Sequence, residues 1–179
     1  MEIRKAHPTD LPIIASLARL TWRHCYPSIV DRGQIEYMLA QRYSPEAMLA
    51  SVASGQLTYE LLTVDGEPTA FAAHSPTPLP SEHKLQQLYV RPEWQGRGLG
   101  RQLIHHVSAI ARAAAKPTLV LTVNRRNLQA IESYLRSGFV IRESADFDIG
   151  NGFVMEDYVM TRRLDVPPLS QPSPYPCES

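Results

Sequence analysis

Apolar positions along this chain follow two periods, and the switches between them lay out its elements. A helical period runs through Leu11, Ile14, Ala15, Leu17, Ala18 and Trp22. Thr9 is placed to cap that helix, with Asp10 and Pro12 in its first turn and an end near Tyr26-Pro27. A second helix, about Gln34–Ala40, presents Ile35, Met38 and Leu39, and Ser44-Pro45 with Gly55 brackets a third. Leu99, Leu103, Val107, Ile110 and Ala114 make a fourth stripe, which Pro117 stops. A last helix runs from about Asn127 to Ser137, with Gly138 at a left-handed C-terminal cap and Phe139 as its apolar partner.

Between the helices lie strand patterns. Ile3–Ala6, Thr58–Val64, Thr69–His74 and Leu85–Val90 read as strands, as do Leu119–Val123, Phe139–Ile149 and Phe153–Leu164. Asp65-Gly66 and Gly150-Asn151-Gly152 are hairpin signals, and Ser75–Ser81 is a Pro-rich loop. The order is strand, two or three helices, three strands, helix, strand, helix, two strands. That order predicts an α/β (α+β) domain with a mixed sheet and helices packed on its faces. The domain spans 1–164. Residues 165–179 carry Pro167, Pro168, Pro172, Pro174 and Pro176 and read as a flexible tail that builds no core.

Composition narrows the classes. At 179 residues the chain is one domain with enough length for a sizeable core. Eighteen basic and eighteen acidic side chains cancel, so no charge field points to nucleic acid or to a membrane surface. Cys25 and Cys177 lie far apart and make neither a metal spacing nor a disulfide framework. With no apolar stretch near ~20 residues and no signal core in MEIRKAHPTD, a cytoplasmic protein is expected.

Chemistry concentrates first in Leu85–Gly100, LQQLYVRPEWQGRGLG. A strand, a glycine-rich loop and a helix start form an anion site, because the first helical N–H groups lack partners and the helix dipole favours negative charge. Glycines let a phosphate approach the backbone, and Arg97 and Arg101 add positive charge. No Gly-Lys-Ser/Thr ends the loop, so it is not a P-loop. The spacing of Gly96, Gly98 and Gly100 also departs from the dinucleotide fingerprint. A glycine-rich turn that merely reverses the chain is the plain alternative.

The second stretch is Leu121–Phe139, LTVNRRNLQAIESYLRSGF. Asn127, Ala130 and Tyr134 share one helix stripe, while Leu128, Ile131 and Leu135 make another suited to the core. An amide, a small residue and a phenol suit an extended ligand lying along the helix. An N-cap role for Asn127 and a packing role for Tyr134 are the plain alternatives.

Together the two stretches resemble the GNAT superfamily of N-acetyltransferases. Gln95, Gly98 and Gly100 match its pyrophosphate loop, Gln/Arg-x-x-Gly-x-Gly/Ala. Asn127, Ala130, Tyr134, Gly138 and Phe139 match Asn-x-x-Ala-x-x-x-Tyr-x-x-x-Gly-Phe. The resemblance covers about residues 1–164, strongest over 85–139. It implies a mostly antiparallel mixed sheet whose central strands splay, helices on both faces, and acetyl-CoA as cofactor. The implied cofactor-binding residues are Leu88, Tyr89, Val90, Gln95, Gly96, Arg97, Gly98, Leu99, Gly100, Arg101, Asn127, Ala130 and Tyr134. It also implies Tyr134 as the acid that protonates the leaving thiolate. TWRHCY, YML and YS further resemble the branch near spermidine/spermine acetyltransferases.

The expected reaction is attack of a neutral amine on the thioester in a ternary complex, helped by backbone N–H groups beside Leu88 and Val90. The acceptor is a small-molecule or peptide amine. An N-terminal or lysine acetyltransferase, or a CoA-binding regulatory module without turnover, are the alternatives. No metal is required, and His105-His106 read as solvated helix residues. Glu82 and His83 are the catalytic base candidates, with Glu156 and Asp157 beside them, each also readable as a surface residue. His83 is expected to share a strand face with Leu85, Gln87 and Tyr89. Trp22, Tyr26 and Tyr37 are candidates to frame an amine by cation–π contacts. A monomer or homodimer fits the resemblance.

Overall fold

The computed structural model describes residues 1–164; the proposed tail lies outside the described residues. The strands are β1 (Glu2–Lys5), β2 (Thr58–Val64), β3 (Glu67–Pro76), β4 (Glu82–Val90), β5 (Thr118–Asn124), β6 (Val140–Gly150) and β7 (Phe153–Arg163). The helices are α1 (Leu11–Cys25), α2 (Arg32–Tyr43), α3 (Pro45–Ala53), α4 (Leu99–Ala113) and α5 (Leu128–Arg136). All seven strands form one sheet in the order β1-β2-β3-β4-β5-β7-β6. β4 and β5 run parallel, and every other neighbouring pair is antiparallel.

The helices divide between the two faces. Trp22, Ile35, Met38 and Met48 from α1–α3 pack with Phe71 and Ala73 on one side. Leu103, Ile104 and Val107 of α4 pack with Ala70, Ala72, Leu119 and Leu121 on the other, joined by Ile131 of α5. Burying each such leucine or isoleucine contributes about 1.5–3 kcal/mol.

Local rules account for most boundaries. Asp65 and Gly66 take the positive φ of a two-residue hairpin turn. Ser44 caps α3 through the Ala47 N–H at 3.2 Å. The first helix starts otherwise than the sequence suggests. A single 3-10 turn, Pro8–Asp10, precedes it, and Asp10 rather than Thr9 closes that turn by accepting the His7 N–H at 2.7 Å. Asp10 also pairs with Arg4 at 2.7 Å, so a carboxylate serves two partners where a threonine hydroxyl serves one. α2 is longer than expected, because Asp31 caps it three residues earlier through the Gln34 N–H at 2.9 Å.

Two features of β4 shape the rest of the molecule. Ala73 pairs with Gln87 but His74 pairs with Leu85, so Gln86 is an extra residue in a β-bulge. The bulge reverses the side-chain alternation. Leu85 before it and Leu88 and Val90 after it all face α4, while Tyr89 faces α1. The expectation that His83 shares a face with Gln87 and Tyr89 is therefore corrected. The second feature is the short contact with β5, limited to Glu82↔Thr118, His83↔Leu119 and Lys84↔Val120. Beyond Lys84 the strands part, and each stays paired only with its outer neighbour.

α5 also differs from its sequence pattern. Leu128 and Leu135 are 69% and 47% exposed, so the expected Leu128/Ile131/Leu135 core stripe contributes only Ile131. The helix instead turns Ala130 and Tyr134 toward the core, with Tyr134 edge-on to Phe139 at 5.8 Å.

Candidate active site

The parting of β4 and β5 opens a cleft of about 840 Å³. Its first wall is the loop into α4. Gly98 is the N-cap of α4 at φ 80°, and Gly96 takes φ 74°. A Cβ at either position would meet nothing within 4 Å, so the space above the loop is free for a ligand. No side chain caps α4, which leaves its first N–H groups for an anion. Gln95 braces the loop by donating from Nε2 to the Val90 carbonyl at 3.1 Å, and the Arg97 guanidinium lies 4.5 Å from the Trp94 ring centroid. A pyrophosphate fits this cradle by charge, by shape and by donor supply.

The second wall is β4 itself. The Arg91 N–H donates to Thr69 of β3 at 2.9 Å. Backbone direction alternates along a strand, so the Leu88 and Val90 N–H groups point the other way, into the gap left by β5. The third wall is α5. Asn127 caps it by accepting the Ala130 N–H at 3.2 Å, and Tyr134 opens onto the cleft one turn further. Burial, followed by nearby Tyr89, pushes the Tyr134 hydroxyl above the ordinary phenol range, so it keeps its proton.

The far side is built from α1, α2 and β7. Gln34 of α2 donates to the Val154 carbonyl at 3.1 Å, and Tyr37 to that of Ile149 at 3.0 Å, which fastens α2 to the β6–β7 hairpin. Trp22 stacks on Tyr26 with centroids 4.1 Å apart. Asp157 of β7 lines the same cleft as a 6% exposed carboxylate with Oδ1 unpartnered. Burial raises it to about 6, against the opposing pull of Arg42, Lys84, a Thr122 hydrogen bond and Arg125. Gln87, also buried, leaves its Oε1 unpartnered beside this space.

The structure thus brings together every residue expected to hold the cofactor, from Leu88 through Arg101 and from Asn127 to Tyr134, along one cleft. It does not bring Glu82 or His83 there. Glu82 pairs with Arg142 at 2.6 Å. His83 is buried on the α4 side with Nε2 2.9 Å from His74 Nδ1, and His74 reaches Glu60 at 3.3 Å. Burial, with His74 and Lys116 nearby, lowers His83 to about 4. His106 is not merely solvated: its Nε2 lies 3.0 Å from the other Glu60 oxygen, while His105 is exposed. Glu156 is tied to Arg125 and Arg126 at 3.3 and 3.6 Å. Trp22 and Tyr26 line the cleft and Tyr37 does not. Sequence reasoning missed Arg42, Lys84 and Gln87. The first lies in the unpredicted last turn of α2, and the other two flank a bulge that leaves no local signal.

Comparison with known proteins places this architecture. A family model described as "Acetyltransferase (GNAT) family" matches residues 18–139. Spermidine N(1)-acetyltransferase of Thermoplasma acidophilum is 25% identical over 158 residues, 87% of this chain and 96% of that protein. Peptidyl-lysine N-acetyltransferase YjaB of Salmonella typhimurium is 27% identical over 70% of this chain and 72% of its own length. Among solved structures, the PaiA N-acetyltransferase of T. acidophilum in complex with coenzyme A superposes with a TM-score of 0.77. It is 23% identical and covers 90% of this chain and 98% of its own. YncA of S. typhimurium, with its cofactor acetyl-CoA, gives 0.70 at 21% identity, over 99% of both chains.

Proposed function

Since this chain belongs to the GNAT family of acetyltransferases, we propose that it moves the acetyl group of acetyl-CoA to a primary amine, with Asp157 as base and Tyr134 as acid. When bound, acetyl-CoA supplies a thioester that the amine attacks directly in a ternary complex. The residues from Gln95 to Arg101 hold its pyrophosphate at the uncapped start of α4. The Leu88 and Val90 N–H groups, which point into the cleft, would donate to the acetyl oxygen as it gains charge. Tyr134 keeps its phenolic proton until negative charge develops on sulfur, and in a dry cleft that hydrogen bond is stronger than in water.

The amine must arrive or become neutral. Asp157, raised to about 6, is ionised near neutral pH and is a stronger base than an ordinary carboxylate. The observation that carries the reading is its buried, unpartnered Oδ1 opening on the same cleft as Tyr134. Glu82 and His83 drop out of the base role because neither lines that cleft. Trp22 and Tyr26 offer aromatic surface to the incoming cation. The working setting is a cytoplasmic monomer or homodimer.

The test is acetyl-CoA-dependent thiol release over a panel of amines, compared in the wild type and in Asp157→Asn. Turnover that the variant loses, with acetyl-CoA still bound in calorimetric titration, supports the assignment. Full turnover in the variant removes Asp157 as base.

A further inference from the structure

Resting on the acetyltransferase reading of this cleft, we propose that the acceptor is a small aminocarboxylate, whose carboxylate docks on Arg42 and Lys84 while its amine faces Asp157. Three of the charged cleft residues, Arg97, Arg101 and Arg136, belong to the loop and helix walls that flank the donor. On the acceptor side two cations, Arg42 and Lys84, face a single carboxylate, Asp157.

Their position is what points to a ligand: both cations line the cleft, where Asp157 is the one carboxylate among the lining residues. Among the described residues neither Arg42 nor Lys84 makes an ion pair. Lys84 is partly buried, and its register with Val120 turns it to the face opposite Leu119 and Leu121, the acceptor face. Burial lowers its pKa and Arg42 lowers it further, with Asp157 acting the other way. Two cations share one carboxylate there, and a planar carboxylate laid on the guanidinium and ammonium relieves that excess of positive charge.

A polyamine has the opposite problem. Its remaining ammonium groups would meet Arg42 and Lys84, with Asp157 the one carboxylate among the residues that line the cleft. The two cations also lower the pKa of an amine bound beside them, which raises the fraction able to attack. Gln87, with Oε1 unpartnered and buried, adds an acceptor for that amine's N–H.

The experiment follows thiol release from acetyl-CoA with matched acceptors. Glycine, β-alanine and 4-aminobutyrate are each set against the amine of equal length without the carboxylate, with 1,4-diaminobutane and spermidine as polycations. The expected result is a kcat/KM at least about tenfold higher for the best aminocarboxylate than for its matched amine and for either polyamine, the worth of one charge-assisted contact. Lys84→Glu and Arg42→Glu should raise KM for that acceptor more than they lower kcat, and shift the ratio toward the diamine. Lys84→Arg should keep the preference. A wild-type preference for the polyamines, equal rates within matched pairs, or no turnover of any carboxylate-bearing amine overturns the proposal. Calorimetric titration with acetyl-CoA then separates the premises. Donor binding with turnover of another amine leaves the acetyltransferase reading standing, and absence of donor binding removes both.

Discussion

Two buried polar clusters sit on opposite faces of one sheet, and they are built to opposite rules. On the α4 face Glu60 receives His74 and His106 on its two oxygens, and His83 closes the chain onto His74. Burial works against the Glu60 charge, but those histidine contacts outweigh it and hold the carboxyl below its ordinary range. In that cluster only His83 Nδ1 is without a partner among the described residues. On the cleft face Thr21, Trp22, Gln87 and Asp157 all leave a buried polar atom unpartnered. Buried polar groups are normally satisfied, because an unmade hydrogen bond costs about 1–3 kcal/mol. One cluster thus leaves a single nitrogen open and the other four polar groups, on the face where the proposed acceptor would bind.

The largest expected effect breaks the comparison at Asp157. Asp157→Asn should cut kcat by about 10³-fold at pH 8, within the range for loss of a general base. The same change should raise the melting temperature at pH 8 by a few degrees. An unfolded aspartate ionises near 3.9, whereas Asp157 does so at about 6. Between those values the folded state holds a proton that the unfolded state has released, so stability falls as pH rises through the window and stays lost above it. The variant has no such loss. Activity in the wild type should fall below about pH 6 as Asp157 is protonated. A variant that is both less active and less stable at pH 8 would make Asp157 a structural residue.

Tyr134→Phe comes next, with an expected fall of about 10²-fold in kcat and little change in melting temperature, since the ring and its contact with Phe139 stay. Retention of full kcat would leave Tyr134 as a packing residue. Gly98→Val attacks the wall where backbone rather than side chains does the binding. It should weaken acetyl-CoA binding by about 2 kcal/mol, or roughly 30-fold. Two causes act together: the φ of 80° suits glycine, and the new side chain fills the open space over the loop. Unchanged affinity in calorimetric titration of the folded variant would remove this loop from the donor site.

The contrast between the two faces also explains what could be read from the sequence. The glycine loop and the Asn127–Phe139 helix were legible because their chemistry is local: an uncapped helix start and an i, i+3, i+7 stripe are fixed by neighbours in the chain. Gln95 to Arg101 and the stripe Asn127, Ala130 and Tyr134 do line one cleft. The proposed base was not legible. Glu156 and Asp157 are adjacent, and what separates them is their ion pairing, with Arg125 and Arg126 for one and with no residue for the other among the described residues. His83 looked available because strict alternation put it with Tyr89, and the extra residue Gln86 sends them to opposite faces. The Glu60–His106 contact spans 46 residues, beyond any local pattern. Leu128 and Leu135 misled in the other direction, because α5 turns its phenol rather than its leucines to the fold.

The smallest effect sharpens the comparison from the satisfied side. His83 is lowered to about 4 by burial and by His74 and Lys116, against about 6.5 for a free histidine. Between these values the unfolded chain takes up a proton that the folded chain refuses, so stability is lost as pH falls through the window. His83→Gln removes the titration while keeping a polar group toward His74. Relative to the variant, the wild type should lose about 1 kcal/mol more between pH 7 and pH 5, after allowance for screening. In a domain of this size that is about 2–4 °C of melting temperature. Asp157 titrates in an overlapping range with the opposite sign, but both proteins carry it, so it cancels in the difference. Acetyl transfer by the variant at pH 8 should stay within about twofold of wild type, since His83 lines no part of the cleft. A large loss of kcat with an unchanged melting curve would connect the histidine chain to catalysis through the sheet. It would also end the distinction between a satisfied face and a working one.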